Sequence, residues 1–291
     1  MTIAPATQAD RRAAVGLVLV GIISGQLASA LATFVFDEVG PAGTVFVRTV
    51  FAALALAAIW RPVTSGMSRT AIRDVGLFAV ALSGMNLCFY ESLDRLPLGI
   101  AVTLEFVGPL TIAVLGTRNR LDVLWVASAA AGILLLAPDI GDGVDAVGVA
   151  LALMAGFFWG AYILMSARVG RGADGRSRLA SAMLISAVLL LPTGLAEGAG
   201  ALIDPSVLAI GFAVAILSSA IPYTVELEAL RRLPERAFGV LLSLEPAIAA
   251  VVGLVVLDQH LATRMVVAIA LIVIASAGAL SSAEGVEVPE S

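Results

Sequence analysis

Charge is scarce in this chain. Only 13% of its 291 residues are charged, whereas a soluble domain has about a quarter. Lysine is absent, so all 17 cations are arginine. The mean hydropathy of +1.02 therefore predicts an integral membrane protein, with the lipid bilayer as its main partner. We expect no nucleic-acid partner.

Cysteine and histidine are nearly absent as well. The single cysteine, Cys88, excludes a disulfide framework and a cysteine metal site. Haem or zinc would need several His or Cys ligands, and the one histidine is His260. The chain also lacks a P-loop and has no room for a soluble catalytic domain. We therefore expect neither an enzyme nor a bound metal or cofactor.

Long apolar runs fill most of the chain. Each is about as long as the 20 residues that a helix needs to cross a bilayer, and none alternates as a barrel strand would. The runs are 15–35, 42–60, 72–92, 97–116, 121–138, 145–166, 179–197, 206–228, 237–257 and 263–281. The first continues past a possible cleavage site, Ala28-Ser29-Ala30, so we favour a retained helix over a signal peptide. The fold class predicted is all-α, with ten transmembrane helices.

The arginines alternate between the connections. If the N-terminus is cytoplasmic, the inside segments hold Arg11, Arg12, Arg61, Arg69, Arg73, Arg118, Arg120, Arg168, Arg171, Arg176, Arg178, Arg231, Arg232 and Arg236. The outside loops hold only Arg95 and Arg264. This positive-inside asymmetry predicts that both tails, 1–14 and 282–291, are cytoplasmic. The shortest connection, Asp94 to Pro97, is the least certain.

An internal repeat divides the chain. Leu96-Pro97, Pro109 and Gly116 recur as Leu233-Pro234, Pro246 and Gly253 at the same spacings. Two five-helix repeats, 15–138 and 145–281, follow, and the odd number of spans inverts one against the other. Inverted repeats are typical of alternating-access transporters with a midplane substrate site. The alternative is shared ancestry without transport.

Ionisable residues within spans are costly and usually functional. The candidates are Arg48, Glu105, Glu226, Glu228 and Glu245, with Glu91 nearer a helix end. Pro109 leaves the Glu105 carbonyl without its helical donor, and Pro246 directly follows Glu245. Each half thus pairs a carboxylate with a helix break. Such a pair could exchange protons and bind a substrate ammonium; the alternative is that these acids pair with Arg48 or cap helices.

Polar and small residues recur at helical spacing in several spans. Asn86 and Tyr90, and Trp159 and Tyr162, could line a cavity or anchor at the membrane interface. Gly21-x3-Gly25, Gly156-x3-Gly160 and Ala249-x3-Gly253 fit close helix packing.

Several segments resemble one family over almost the whole chain. They are Gly84-Met85-Asn86, Phe89-Tyr90, 97–102, Leu104-Glu105-Phe106, Gly108-Pro109-Leu110, 159–164, 215–218, Ile221-Pro222-Tyr223, Glu226 and 244–247. They resemble bacterial threonine/homoserine exporters, which are EamA-type members of the drug/metabolite transporter superfamily. The resemblance implies a ten-helix inverted-repeat fold and proton-driven export of small amino acids. Arg48, Asn86, Glu105, Glu226 and Glu245 match its residue types, whereas Glu91 and Glu228 depart from it.

The resulting hypothesis is a secondary exporter in a bacterial inner membrane, which moves small amino acids outward in exchange for protons. Its substrate and proton residues would be Glu105, Glu245, Glu226, Arg48, Asn86, Tyr90, Tyr162 and Tyr223, with helix breaks at Pro109 and Pro246. The alternatives are transport of another metabolite or a drug-like cation, or a membrane scaffold. A homodimer is kept as an alternative to a monomer.

Overall fold

The computed structural model describes residues 8–62, 67–115, 121–136, 145–169, 175–198, 200–222, 225, 229 and 241–282. These residues form helices joined by short turns, with no strand among them, so the predicted all-α class is confirmed. The helices are α1 Gln8–Thr33, α2 Phe36–Trp60, α3 Arg69–Leu93, α4 Leu98–Glu105, α5 Val107–Leu115, α6 Leu121–Leu136, α7 Ala146–Val169, α8 Gly175–Gly198, α9 Pro205–Ala215, α10 Glu245–Leu257 and α11 Thr263–Ser282. A π-helical segment, Ile216–Ala220, directly follows α9.

Five of these helices (α1, α2, α3, α7 and α8) are long and apolar enough to cross a membrane. Many large apolar side chains on them point outward, among them Ile59, Phe157 and Val188, which are 67–69% exposed. Water would disfavour so many exposed apolar side chains, whereas lipid accommodates them. The bundle is therefore that of a multi-pass membrane protein. The count of ten spans stays a prediction, because α4, α9, α10 and α11 are shorter apolar helices.

The helices pair in a regular pattern. α2 packs along α8, α3 along α7, and α6 along α11, while α4 packs on α10 and α1 on α9 and the π-helical segment. A common core fills the centre, and fully buried Ile100 and Leu104 of α4 belong to it together with Ala28 of α1 and Ala155 of α7. The centre of the bundle is thus built from helices of both halves of the chain.

Glycines bring α7 close to the junction of α4 and α5. The chain leaves the α-helix at Phe106, between the two short helices. A Cβ at Gly156 would lie 2.6 Å from the Glu105 carbonyl oxygen, and one at Gly108 would overlap the Gly156 carbonyl. Only glycines allow this approach. The expected packing role thus holds for Gly156, but not for Gly25, beside which there is open space.

Connections that are distant in sequence meet at the ends of the bundle. The Leu98 N–H donates to Gln259 Oε1 over 2.9 Å, and Ser206 Oγ lies 3.4 Å from Glu38 Oε2. At other connections, Ser177 Oγ donates to the Trp60 carbonyl over 2.9 Å. Each contact joins two segments that the arginine pattern predicts to lie on one side of the membrane.

The N-terminus of α9 is capped by the side chain of Asp204. Asp204 Oδ1 accepts hydrogen bonds from the Ser206 hydroxyl (2.6 Å) and the Ser206 N–H (2.8 Å). These bonds favour the ionised carboxylate and lower the pKa of Asp204. With Pro205 at the first helical position, the cap fixes where α9 begins.

Candidate functional site

A cavity of about 350 Å³ lies between the two halves of the chain. It is lined from α1, α2, α3, α4, α7, α8, the π-helical segment and the region around the start of α10. The lining residues are Gly25, Gln26, Ser29, Arg48, Leu82, Met85, Asn86, Phe89, Tyr90, Val102, Glu105, Trp159, Tyr162, Met183, Ser218, Ser219, Leu242 and Glu245. One arginine and two glutamates therefore face a chamber with both polar and apolar walls.

Arg48 of α2 is held by neutral groups. Its Nη1 donates to Ser218 Oγ over 2.9 Å and its Nη2 donates to Asn86 Oδ1. Its guanidinium lies 5.4 Å from the centre of the Tyr90 ring, a cation–π distance. Its buried Nε has no hydrogen-bond partner in the described part of the chain. The guanidinium is thus oriented by its neighbours, and its Nε is left without a partner among the described residues.

Asn86 and Tyr90 lie one turn apart on α3 and hold Arg48 from the same side. The Asn86 amide donates to the Leu82 carbonyl over 2.8 Å, which turns its oxygen toward Arg48. Tyr90 is fully buried, with its ring 6.1 Å from those of Phe36 and Phe89. The i, i+4 spacing seen in the sequence therefore places both side chains on the cavity wall.

Glu105 and Glu245 stand at two helix ends. Glu105 is the last residue of α4, three positions before the Gly108-Pro109 pair in α5, and Glu245 is the first residue of α10, with Pro246 next to it. Glu105 is 8% exposed and interacts electrostatically with both Glu245 and Arg48. The prolines stand beside these ends, where a missing N–H costs least. Two carboxyl groups thus share one buried chamber with a single guanidinium.

Aromatic side chains of α7 close another side of the cavity. The Tyr162 ring stacks on Phe78 at 5.1 Å, and Trp159 meets Phe106 edge-on at 5.4 Å. Both α7 residues line the cavity. Of the two roles that the sequence allowed, cavity lining or interfacial anchoring, the structure therefore favours cavity lining.

The sequence-predicted site residues therefore largely come together. Six of them line the cavity: Arg48, Asn86, Tyr90, Glu105, Tyr162 and Glu245. Tyr223, Glu226 and Glu228 lie outside the described residues. Glu91 does not line the cavity; it pairs with Arg95 over 3.0 Å near the end of α3.

Sequence reasoning missed four other neutral polar residues of the cavity. Gln26 and Ser29 of α1 and Ser218 and Ser219 of the π-helical segment also line the cavity. A lone glutamine within an apolar span was the available signal for Gln26. The π-helical turn had no such signal, although turns of this kind are frequent at functional sites.

No cluster of three or more His, Cys, Asp or Glu side chains that could hold a metal ion occurs among the described residues. The cavity's chemistry is that of a binding site: one fixed guanidinium, two carboxyls, several hydroxyls and amides, and aromatic walls.

Comparisons with known proteins agree with this arrangement. The EamA-like transporter family matches residues 146–281. The threonine/homoserine exporter RhtA of Escherichia coli K12 is 40% identical over 265 residues, covering 90% of this chain and 89% of the relative. RhtA of Salmonella typhimurium LT2 is 39% identical over 264 residues, with the same coverage.

A solved structure shows the same fold. The protein in this crystal structure is 19% identical in sequence to the present chain. The two folds align with a TM-score of 0.61, over 92% of this chain and 97% of the other. The family match lies in the second half of the chain, whereas the relatives extend over both halves. The chain belongs to the EamA-like transporter family.

Proposed function

We propose that the protein is a secondary exporter of small amino acids of the threonine and homoserine type, working by proton antiport. The observation that carries this proposal is a chamber between the two halves that holds one guanidinium and two carboxyls. Support also comes from relatives named threonine/homoserine exporters, about 40% identical along 90% of the chain.

The charges of the cavity match a zwitterion. Arg48 lines the cavity with its guanidinium, whose Nε has no partner among the described residues, and it receives the substrate carboxylate. Glu105 and Glu245 receive the ammonium. A volume of about 350 Å³ is near the lower end for ligand sites and suits a small substrate. The fixed guanidinium would repel a purely cationic drug, which disfavours that alternative.

Proton coupling follows from competition for the same carboxyls. Two carboxylates in one buried chamber repel each other, so a proton or an ammonium must neutralise at least one of them. If the proton and the substrate ammonium exclude each other there, one leaves as the other binds. Protons entering from outside would then drive the amino acid outward.

We further propose ten spans in two inverted repeats, 15–138 and 145–281, in the bacterial inner membrane with both ends inside. The helix pairing supports this arrangement, because exchanging the halves leaves it unchanged. α2 pairs with α8, α4 with α10 and α6 with α11, whereas the α1–α9 pair exchanges with α7–α3. The arginine asymmetry supports the orientation.

Transport in proteoliposomes tests the function. Protein reconstituted with labelled threonine should show counterflow with threonine and homoserine, and an imposed pH gradient should drive accumulation against the threonine gradient. Glu105→Gln and Glu245→Gln should each reduce the pH-driven uptake at least about tenfold, since an amide cannot exchange a proton.

Glu91→Gln is the matched control, because Glu91 lies outside the cavity lining; it should transport as the unmodified protein does. Counterflow with none of a panel of amino acids would refute the exporter proposal. Full pH-driven uptake by both cavity variants would refute the role of the two glutamates.

A further inference from the structure

Two buried polar atoms at the cavity have no partner within the part of the chain that the structure describes. One is the Nε donor of Arg48, and the other is the Oε1 acceptor of Gln26. Gln26 is 7% exposed and lines the same cavity. Buried polar atoms are nearly always satisfied, so an unpartnered acceptor at a binding cavity indicates a ligand donor.

We propose that Gln26 reads the side-chain hydroxyl of the substrate, whose O–H donates to Gln26 Oε1. This inference rests on the proposed function and adds a specificity-determining residue to it. It places the hydroxyl of threonine or homoserine near α1, while the charged ends of the substrate meet Arg48 and the glutamates.

The acceptor fits a neutral donor better than an ammonium. A buried ammonium needs a counter-charge, and the carboxyls of Glu105 and Glu245 supply it within the same chamber. An amide oxygen carries no charge, so its hydrogen bond suits a hydroxyl. Among the common groups of a small amino acid, the side-chain hydroxyl is the donor that remains.

The protein holds this acceptor in place. Ser24 of α1 donates to the Leu217 carbonyl over 2.7 Å, which ties α1 to the segment that carries Ser218, the partner of Arg48. The α1 backbone next to Gln26 is thus connected to the segment that orients the guanidinium of Arg48. A fixed acceptor at a set place relative to a fixed donor discriminates between substrates that differ by one hydroxyl.

A series of substrates tests the proposal on the unmodified protein. In counterflow, α-aminobutyrate, which is threonine without its oxygen, should have a transport efficiency (kcat/KM) about 10- to 100-fold below that of threonine, the range of one hydrogen bond. O-Methylthreonine keeps the oxygen but has no donor, and it should be rejected similarly. Transport of both analogues as efficient as that of threonine would overturn the proposal.

Gln26→Met then removes the acceptor at nearly constant length. The ratio of threonine to α-aminobutyrate efficiency should fall toward one, with α-aminobutyrate transport retained. Ile23→Met, on the exposed face of the same helix, should keep the ratio. A Gln26→Met variant that transports with an unchanged ratio would overturn the role of Gln26. The proposed function itself fails only if the unmodified protein moves none of these amino acids.

Discussion

At the residue scale, the guanidinium of Arg48 does two tasks at once. It uses two nitrogens on Ser218 and Asn86 and keeps Nε free of any partner among the described residues. A lysine has a single ammonium and cannot reproduce this fork. Arg48→Lys should therefore raise the KM for threonine at least about tenfold, while the protein still inserts and elutes as a single species.

Arg95→Lys is the matched control, because Arg95 is half-exposed and bonds Glu91 one turn away. Its KM should stay within about twofold, as exposed pairs contribute little. Both constants come from initial rates of counterflow. An unchanged KM in Arg48→Lys would remove Arg48 from substrate binding.

The sequence predicts those site residues that are costly to place in lipid, and it predicts the others poorly. Three residues stand out because a charged side chain within a span costs free energy and is usually functional: Arg48, Glu105 and Glu245. Gln26 and Ser218 are neutral and cost far less, so they stand out much less in an apolar run. Their place in the cavity comes from packing between helices nearly 200 residues apart, such as the Ser24–Leu217 contact.

At the element scale, the start of α2 has a non-helical residue that only glycine suits. Gly40 has φ 68° and ψ 169°, and a Cβ there would overlap the Glu197 carboxylate. That carboxylate accepts the Ala42 N–H over 2.8 Å, which satisfies a donor at the helix start. Gly40→Ala should destabilise the protein by about 1–3 kcal/mol from the backbone alone.

Thermal unfolding in detergent measures this effect, and Gly76→Ala is the control. Gly76 lies within α3 with nothing within 4 Å of a Cβ, so alanine there should be neutral or slightly stabilising. A Gly40→Ala variant as stable as the unmodified protein would show that the start of α2 adapts without cost.

Element positions follow from the sequence better than element partners do. The Asp94–Pro97 break appears as predicted, because α3 ends at Leu93 and α4 begins at Leu98, directly after Pro97. The Gly156-x3-Gly160 spacing predicted a packing face but not that the face would meet the Glu105 carbonyl. Spacing encodes the shape of one helix, whereas the partner depends on the whole bundle.

At the scale of the whole molecule, the proposed inverted repeat predicts which side of the membrane each connection faces. With five spans in each half, Arg69 at the start of α3 and His260 between α10 and α11 must face opposite sides. The single cysteine makes a direct measurement possible. In a Cys88→Ser background, His260→Cys should react with a membrane-impermeant maleimide in intact spheroplasts, since the His260 side chain is 79% exposed.

Arg69→Cys should react only after the membrane is opened, because that segment carries the arginines that favour the cytoplasm. Labelling of both sites from one side would mean an even number of spans between them, and the halves would then not be inverted. Outside labelling at Arg69 alone would keep the inversion but reverse the orientation. The pairing of α2 with α8 and of α4 with α10 is unchanged when the two halves are exchanged. We therefore expect Arg69 and His260 to lie on opposite sides of the membrane.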